Sequence, residues 1–87
     1  MKDLEKIMKA LANKRRLAIL RYLKKNREAS VGDIAYEIKL SFKATSKHLN
    51  ILAGAGILDK EQRSLVVFYR LSNTKPAAAR SIIANHL

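Results

Sequence analysis

The sequence predicts a mainly α fold with one small β-hairpin, its elements running α-α-α-α-β-β-α. Three observations predict it. Apolar residues recur at helical spacing in four successive segments as far as Leu52. The period then shortens to that of strands, and Pro76 opens a last helical stretch.

Leu4, Ile7, Met8 and Leu11 stand at i, i+3, i+4 and i+7, an apolar helix face with Lys2, Lys6 and Lys9 on the other side. Asn13 suits the cap of a second helix, because its side chain accepts a free amide hydrogen bond. That helix carries Leu17, Leu20 and Leu23, widened by Ile19 and Tyr22, and runs down near Asn26. Ser30-Val-Gly-Asp33 has capping-box spacing, with Asp in place of Glu or Gln. Val31, Ile34, Ala35 and Ile38 behind it repeat the helical stripe. Ser41 suits the cap of a fourth helix, whose inner edge is Thr45, His48, Leu49 and Leu52 and which stops at Gly54 or Gly56.

Beyond Gly56, residues 57–61 and 65–71 read as two strands, the second rich in β-branched and aromatic side chains. The connection near Gln62-Arg63-Ser64 lacks glycine, so its turn type is open. Pro76 suits the first turn of a last helix through Ile82 and Ile83. Only Lys39, Leu40 and Ser41 need lie between the third and fourth helices. Two short helices on a tight turn, followed by a hairpin, make a winged helix-turn-helix, with residues 30–55 as its helix pair.

At 87 residues, the expected organisation is one domain spanning 1–87. Hydrophobic residues make up 48%, enough for a core and too many for a disordered chain. Eighteen Lys plus Arg against seven Asp plus Glu give a formal charge of +11, which attracts polyanions. Nucleic acid is the first such partner and an anionic membrane surface the second. The absence of cysteine excludes disulfides, thiolate metal sites and Cys nucleophiles, and fits the cytoplasm. No apolar run reaches the length of a membrane span, and charges interrupt the start of the chain where a signal peptide would be apolar.

The fourth helix carries the functional expectation. Opposite its inner edge it shows Lys43, Ser46, Lys47 and Asn50, again at i, i+3, i+4 and i+7. Lys donates to guanine O6 and N7, Asn pairs with adenine, and Ser contacts either. Ser41 and the helix start suit a phosphate, while Phe42 suits a thymine methyl or the core. A polar helix face is usually only solvated; the tight turn, the hairpin and the charge raise this one above that reading. Arg63 and Ser64 mark the wing tip, either as phosphate contacts or as plain ribbon, and Asp59 and Glu61 keep the wing from being uniformly basic.

His48 sits on the inner edge, where a packed histidine is the natural reading. His86 has no second ligand at metal spacing, so neither a metal nor any other cofactor is expected. No Ser/His/Asp set, phosphate loop or carboxylate pair supports catalysis.

The stretches LANKRRLAILRYL (11–23), VGDIAYEIKLSFKATSKHLNILAGAGIL (31–58) and VVFYRLS (66–72) resemble the ArsR-type repressors of bacteria and archaea. SFKATSKHLNIL is similar to that family's reading-helix pattern, and FYRL to the end of its wing. The resemblance implies a homodimer on an imperfect palindrome, paired through the first and last helices. Here Leu4, Ile7, Met8, Leu11, Ile82 and Ile83 would form that interface, unless those stripes complete the monomer core instead. The sequence departs from the family in three places. Glu28-Ala29-Ser30-Val31 holds no thiolate pair, and Arg80, Ser81 and His86 replace the acidic and histidine ligands of the last helix. The second helix opens on Asn13-Lys14-Arg15-Arg16 rather than Asp-Pro. Metal sensing is therefore not carried over.

Residues 1–27 hold ten basic and two acidic residues, net +8, against eight and five, net +3, in residues 28–87. Most of the charge thus lies outside the reading helix. It either extends the electrostatic footprint on DNA or forms a solvated face. The leading expectation is a dimeric, sequence-specific duplex-DNA-binding transcriptional regulator, acting as a repressor. A winged-helix protein-interaction module and an RNA-binding domain are the alternatives.

Overall fold

The computed structural model describes residues 2–87, and of Lys2 the backbone alone. The elements are α1 (Lys2–Leu11), α2 (Lys14–Lys25), β1 (Ala29–Ser30), α3 (Val31–Ile38), α4 (Phe42–Gly54), β2 (Leu58–Arg63), β3 (Val66–Leu71) and α5 (Ala77–His86). The five helices and the hairpin follow the sequence expectation. The addition is β1, two residues that pair antiparallel with β3, Ala29 opposite Tyr69 and Ser30 opposite Phe68. The sheet therefore has three strands in the order β1-β3-β2. A two-residue strand is too short to leave a period-2 signal, which is why sequence patterning passes over it.

Local chemistry sets the helix ends. Asn13 Oδ1 accepts from the amides of Arg15 and Arg16 at 2.9 and 3.1 Å. Ser30 Oγ accepts from Asp33 N, and Ser41 Oγ from Ala44 N, each at 3.1 Å. Each such cap contributes about 1 kcal/mol. At the other end of α3, Lys39 adopts the left-handed conformation, φ 59° and ψ 47°, where glycine is usual. Its amide and that of Leu40 both donate to the Ala35 carbonyl, which turns the chain sharply into α4.

The core is built where these helices cross. Ile19 and Leu20 of α2, Ile34 of α3, Leu49 and Leu52 of α4, and Ile57 are fully buried together. Thr45 is buried among them, and its hydroxyl has no hydrogen-bond partner among the described residues. Both hairpin strands differ from expectation by one or two residues at their ends. Arg63 pairs with Val66, so the connection is only Ser64-Leu65. Ser64 has φ 58° and Leu65 does not share the positive φ, so the connection lacks the two positive φ values of a I′ turn.

Candidate nucleic-acid interface

The inner edge of α4 is Thr45, Leu49 and Leu52, all buried. One helix turn spans 3.6 residues, so the opposite side is occupied by Lys43, Lys47 and Asn50. All three are exposed, and Ser46 beside them is half-buried. Ser41 spends its hydroxyl on the cap, and Phe42 stands 63% exposed at the start of the helix. The Tyr69 hydroxyl, reaching across from β3, donates to Asn50 Oδ1 at 3.3 Å. That bond fixes the amide of Asn50 while leaving its NH2 group to donate outward.

His48 lies on the flank of α4 toward α2. Its Nδ1 accepts from Arg16 Nη1 at 3.2 Å, since a guanidinium can only donate. Partial burial pushes the imidazole below its ordinary pKa, and the charges of Arg16, Arg15 and Lys47 push it the same way. Arg16 also donates through Nε to the Ala10 carbonyl at 2.6 Å and through Nη2 to the Lys9 carbonyl at 3.1 Å. One guanidinium thus ties the end of α1 to the side of α4. Arg15 Nη1 donates to the Ile38 carbonyl at 3.3 Å, beside the tight turn.

The wing tip differs from a free basic finger. Arg63 makes a two-pronged contact with Glu28, at 2.6 and 2.8 Å, and a third with Glu61 at 3.1 Å. Its guanidinium also stacks 4.5 Å over the Phe68 ring. The Arg63 hydrogen bonds hold both carboxylates below their ordinary pKa, and they in turn hold Arg63 charged. Its charge is already balanced by its neighbours. What projects from the tip is Leu65, 94% exposed, next to Ser64. Glu28 carries no functional signal in the sequence because it lies 35 residues from its partner. Its one clue is its place just before the Ser30 cap, where β1 brings it beside the hairpin.

The stripe on α1 divides. Leu11 is buried in the core, as is Ile83 on α5, while Ile7 and Ile82 are half-buried against it. Leu4 and Met8 remain 44% and 47% exposed. Leu4 and Met8 are thus the exposed apolar members of this stripe, with Ile7 and Ile82 partly exposed beside the core. Among the described residues no three His, Cys, Asp or Glu side chains gather as a metal site would need. No helix among them is long and apolar enough to cross a membrane.

Three helices packed around one core, the last two joined by a tight turn and followed by a hairpin, define the winged helix-turn-helix proteins. The sequence profile of the bacterial regulatory proteins of the arsR family matches residues 13–60, more than half the chain, and the chain belongs to that family. It is 42% identical over 72 residues to the transcriptional activator HlyU of Vibrio cholerae, covering 83% of this chain and 66% of HlyU. The solved structure of HlyU superposes with a TM-score of 0.80 at 36% identity, over 95% of this chain and 86% of that one. The cadmium resistance transcriptional regulatory protein CadC of Listeria innocua is 37% identical over 67 residues, 77% of this chain and 56% of CadC. The homodimeric winged helix-turn-helix DNA-binding domain of Mb0332 from Mycobacterium bovis superposes with a TM-score of 0.82 at 26% identity, over 95% of this chain and 73% of that one. The chain thus spans just under two thirds of HlyU and just over half of CadC.

Proposed function

We propose that residues 1–87 form a single winged helix-turn-helix domain that binds duplex DNA as a homodimer in the cytoplasm and represses transcription by occupying promoter DNA. No metal, cofactor or catalytic step enters this reading. Its main support is the exposed face of α4. Lys43, Lys47 and Asn50 point to solvent, and no carboxylate occurs in the sequence between Glu37 and Asp59. A helix presented this way fits the major groove, which is about 12 Å wide. Lys43, Ser46, Lys47 and Asn50 contact base edges, Ser41 and Phe42 sit at the groove wall, and Ser64 leads the wing toward the backbone. Arg63 reaches phosphate only after leaving Glu28. Leu4, Ile7, Met8 and Ile82 meet their symmetry mates, with Leu11 and Ile83 as the buried floor beneath them. Two copies then present their reading helices about 34 Å apart, one turn of DNA.

The test is binding to a mixed pool of duplexes at several salt concentrations, followed by the selected sequence. Saturable binding that weakens with salt is expected. Asn50→Ala lowers the ratio of selected to scrambled affinity, while Tyr69→Phe, which deletes only the hydrogen bond to Asn50, leaves most of that ratio. Absence of saturable binding at low salt sinks the reading. An equal ratio for wild type and Asn50→Ala removes Asn50 from the site.

A further inference from the structure

We propose that the exposed face of α2, from Lys14 through Arg21 to Lys25, is a second phosphate-binding surface that takes duplex DNA flanking the segment seated on α4. The inference rests on the DNA-binding reading above and extends its footprint. Ile19, Leu20 and Leu23 turn α2 into the core. Lys14, Arg21 and Lys25 stand at i, i+7 and i+11, so they form one row on the opposite side, and all three are exposed. The row is about 16 Å long. That length matches roughly five base-pair steps of duplex.

Among the described residues the charge in this row is unpaired. Arg16 and Lys24 spend theirs on backbone carbonyls of α1 and α5. Lys14, Arg21 and Lys25 make no side-chain hydrogen bond and no ion pair among the described residues. All three ion pairs found there belong to Arg63 and Arg70. Between Glu5 and Glu28 the sequence contains no carboxylate to balance them. Arg15, Arg21 and Lys25 line one groove with Ala18, Tyr22 and Ile38, and the acidic side chain among its lining residues is Glu37. It is ion-paired to none of them.

The row is also continuous with the reading helix. Arg15 reaches the end of α3 beside Lys39 of the turn, and Arg15, Arg16 and Lys47 all act on His48 of α4. The row therefore adjoins α4 through Arg15, which lines one groove with Arg21 and Lys25 and acts together with Lys47 on His48. It leads away from α4 instead of lying on an unrelated side of the protein. A polyphosphate that lies on α4 and continues past its end is the partner such a row fits.

The test compares wild type, Lys14→Gln/Arg21→Gln and a charge-matched control, Lys75→Gln/Arg80→Gln. Affinity for one selected and one scrambled duplex is measured across salt. Each phosphate left without its cation lowers the slope of log affinity on log salt by about 0.9. The α2 variant is therefore expected to lose about 1.8, alike on both duplexes, so that its extra weakening between about 50 and 200 mM salt shrinks roughly 12-fold. The control keeps the wild-type slope. An α2 variant with the wild-type slope, or a control that flattens equally, overturns the inference while leaving the α4 reading in place. A wild type that binds no duplex overturns both.

Discussion

Replacing Arg16 with Met tests whether one side chain holds α1 against α4. The substitution keeps an unbranched apolar stem and deletes three hydrogen bonds: 2.6 Å to the Ala10 carbonyl, 3.1 Å to the Lys9 carbonyl and 3.2 Å to His48 Nδ1. The two carbonyls lie in the last turn of α1, where no intrahelical amide remains to satisfy them and where a cation favours the helix dipole. Hydrogen bonds from a charged donor contribute about 1.5–3 kcal/mol each. Water reaches the Lys9 side and Arg16 is only half-buried, so the three together are discounted to about 2 kcal/mol. For a domain of this size that corresponds to a fall in Tm of roughly 8–16 °C. The assay is urea unfolding followed by circular dichroism, at one fixed protein concentration because the proposed dimerisation would couple to stability. A change under about 0.5 kcal/mol would show that water replaces these hydrogen bonds and that Arg16 does not hold α1.

Three further outcomes are expected from the same structure. Thr45→Val removes a buried hydroxyl without a partner at nearly constant shape, and raises stability by about 1 kcal/mol in the same urea assay; a decrease of that size would mean the hydroxyl is satisfied. His48 has its folded pKa lowered, first by burial and then by Arg16, Arg15 and Lys47. The unfolded chain therefore takes up the proton first as pH falls through about 6.5, so stability is full above that value and declines below it. His48→Gln flattens that decline between about pH 7.5 and 5.5; an unchanged slope assigns it to other groups. Glu28→Gln loosens the clamp on Arg63, and the freed guanidinium raises the salt slope of duplex binding by about 0.9 if it then meets one phosphate. An unchanged slope in that variant would mean that the wing stays off the backbone.

Much of the fold is legible in the sequence because α2, α3 and α4 each announce themselves twice, by an apolar stripe and by a cap. Ser41 and Leu49 locate α4 on their own, and Asn13 with Leu20 does the same for α2. The parts that are not legible depend on contacts distant in sequence. β1 exists because Ala29 and Ser30 find Tyr69 and Phe68, and two residues alone carry no period. The pairing of Glu28 with Arg63 and the bracing of α1 by Arg16 are likewise tertiary. The apolar face of α1 shows why a stripe cannot by itself separate core from interface. Ile7 and Leu11 turn inward and Leu4 and Met8 outward, yet all four share one helical spacing. On α4 the polar row is readable, but the hydroxyl of Tyr69 on Asn50 is not, since it crosses from the hairpin. The left-handed Lys39 is unreadable for another reason: most turns of this kind signal themselves with glycine, and this one does not.

Everything proposed for DNA binding depends on α4 lying in the major groove with the wing beside it. Backbone amide shifts, recorded by NMR during titration with the selected duplex, report that placement residue by residue. The largest changes are expected at residues 41–50, with smaller ones at the wing tip around Ser64 and Leu65 and a quiet α5. Changes centred on α5 and the exposed side of α1, with residues 41–50 unmoved, would contradict it.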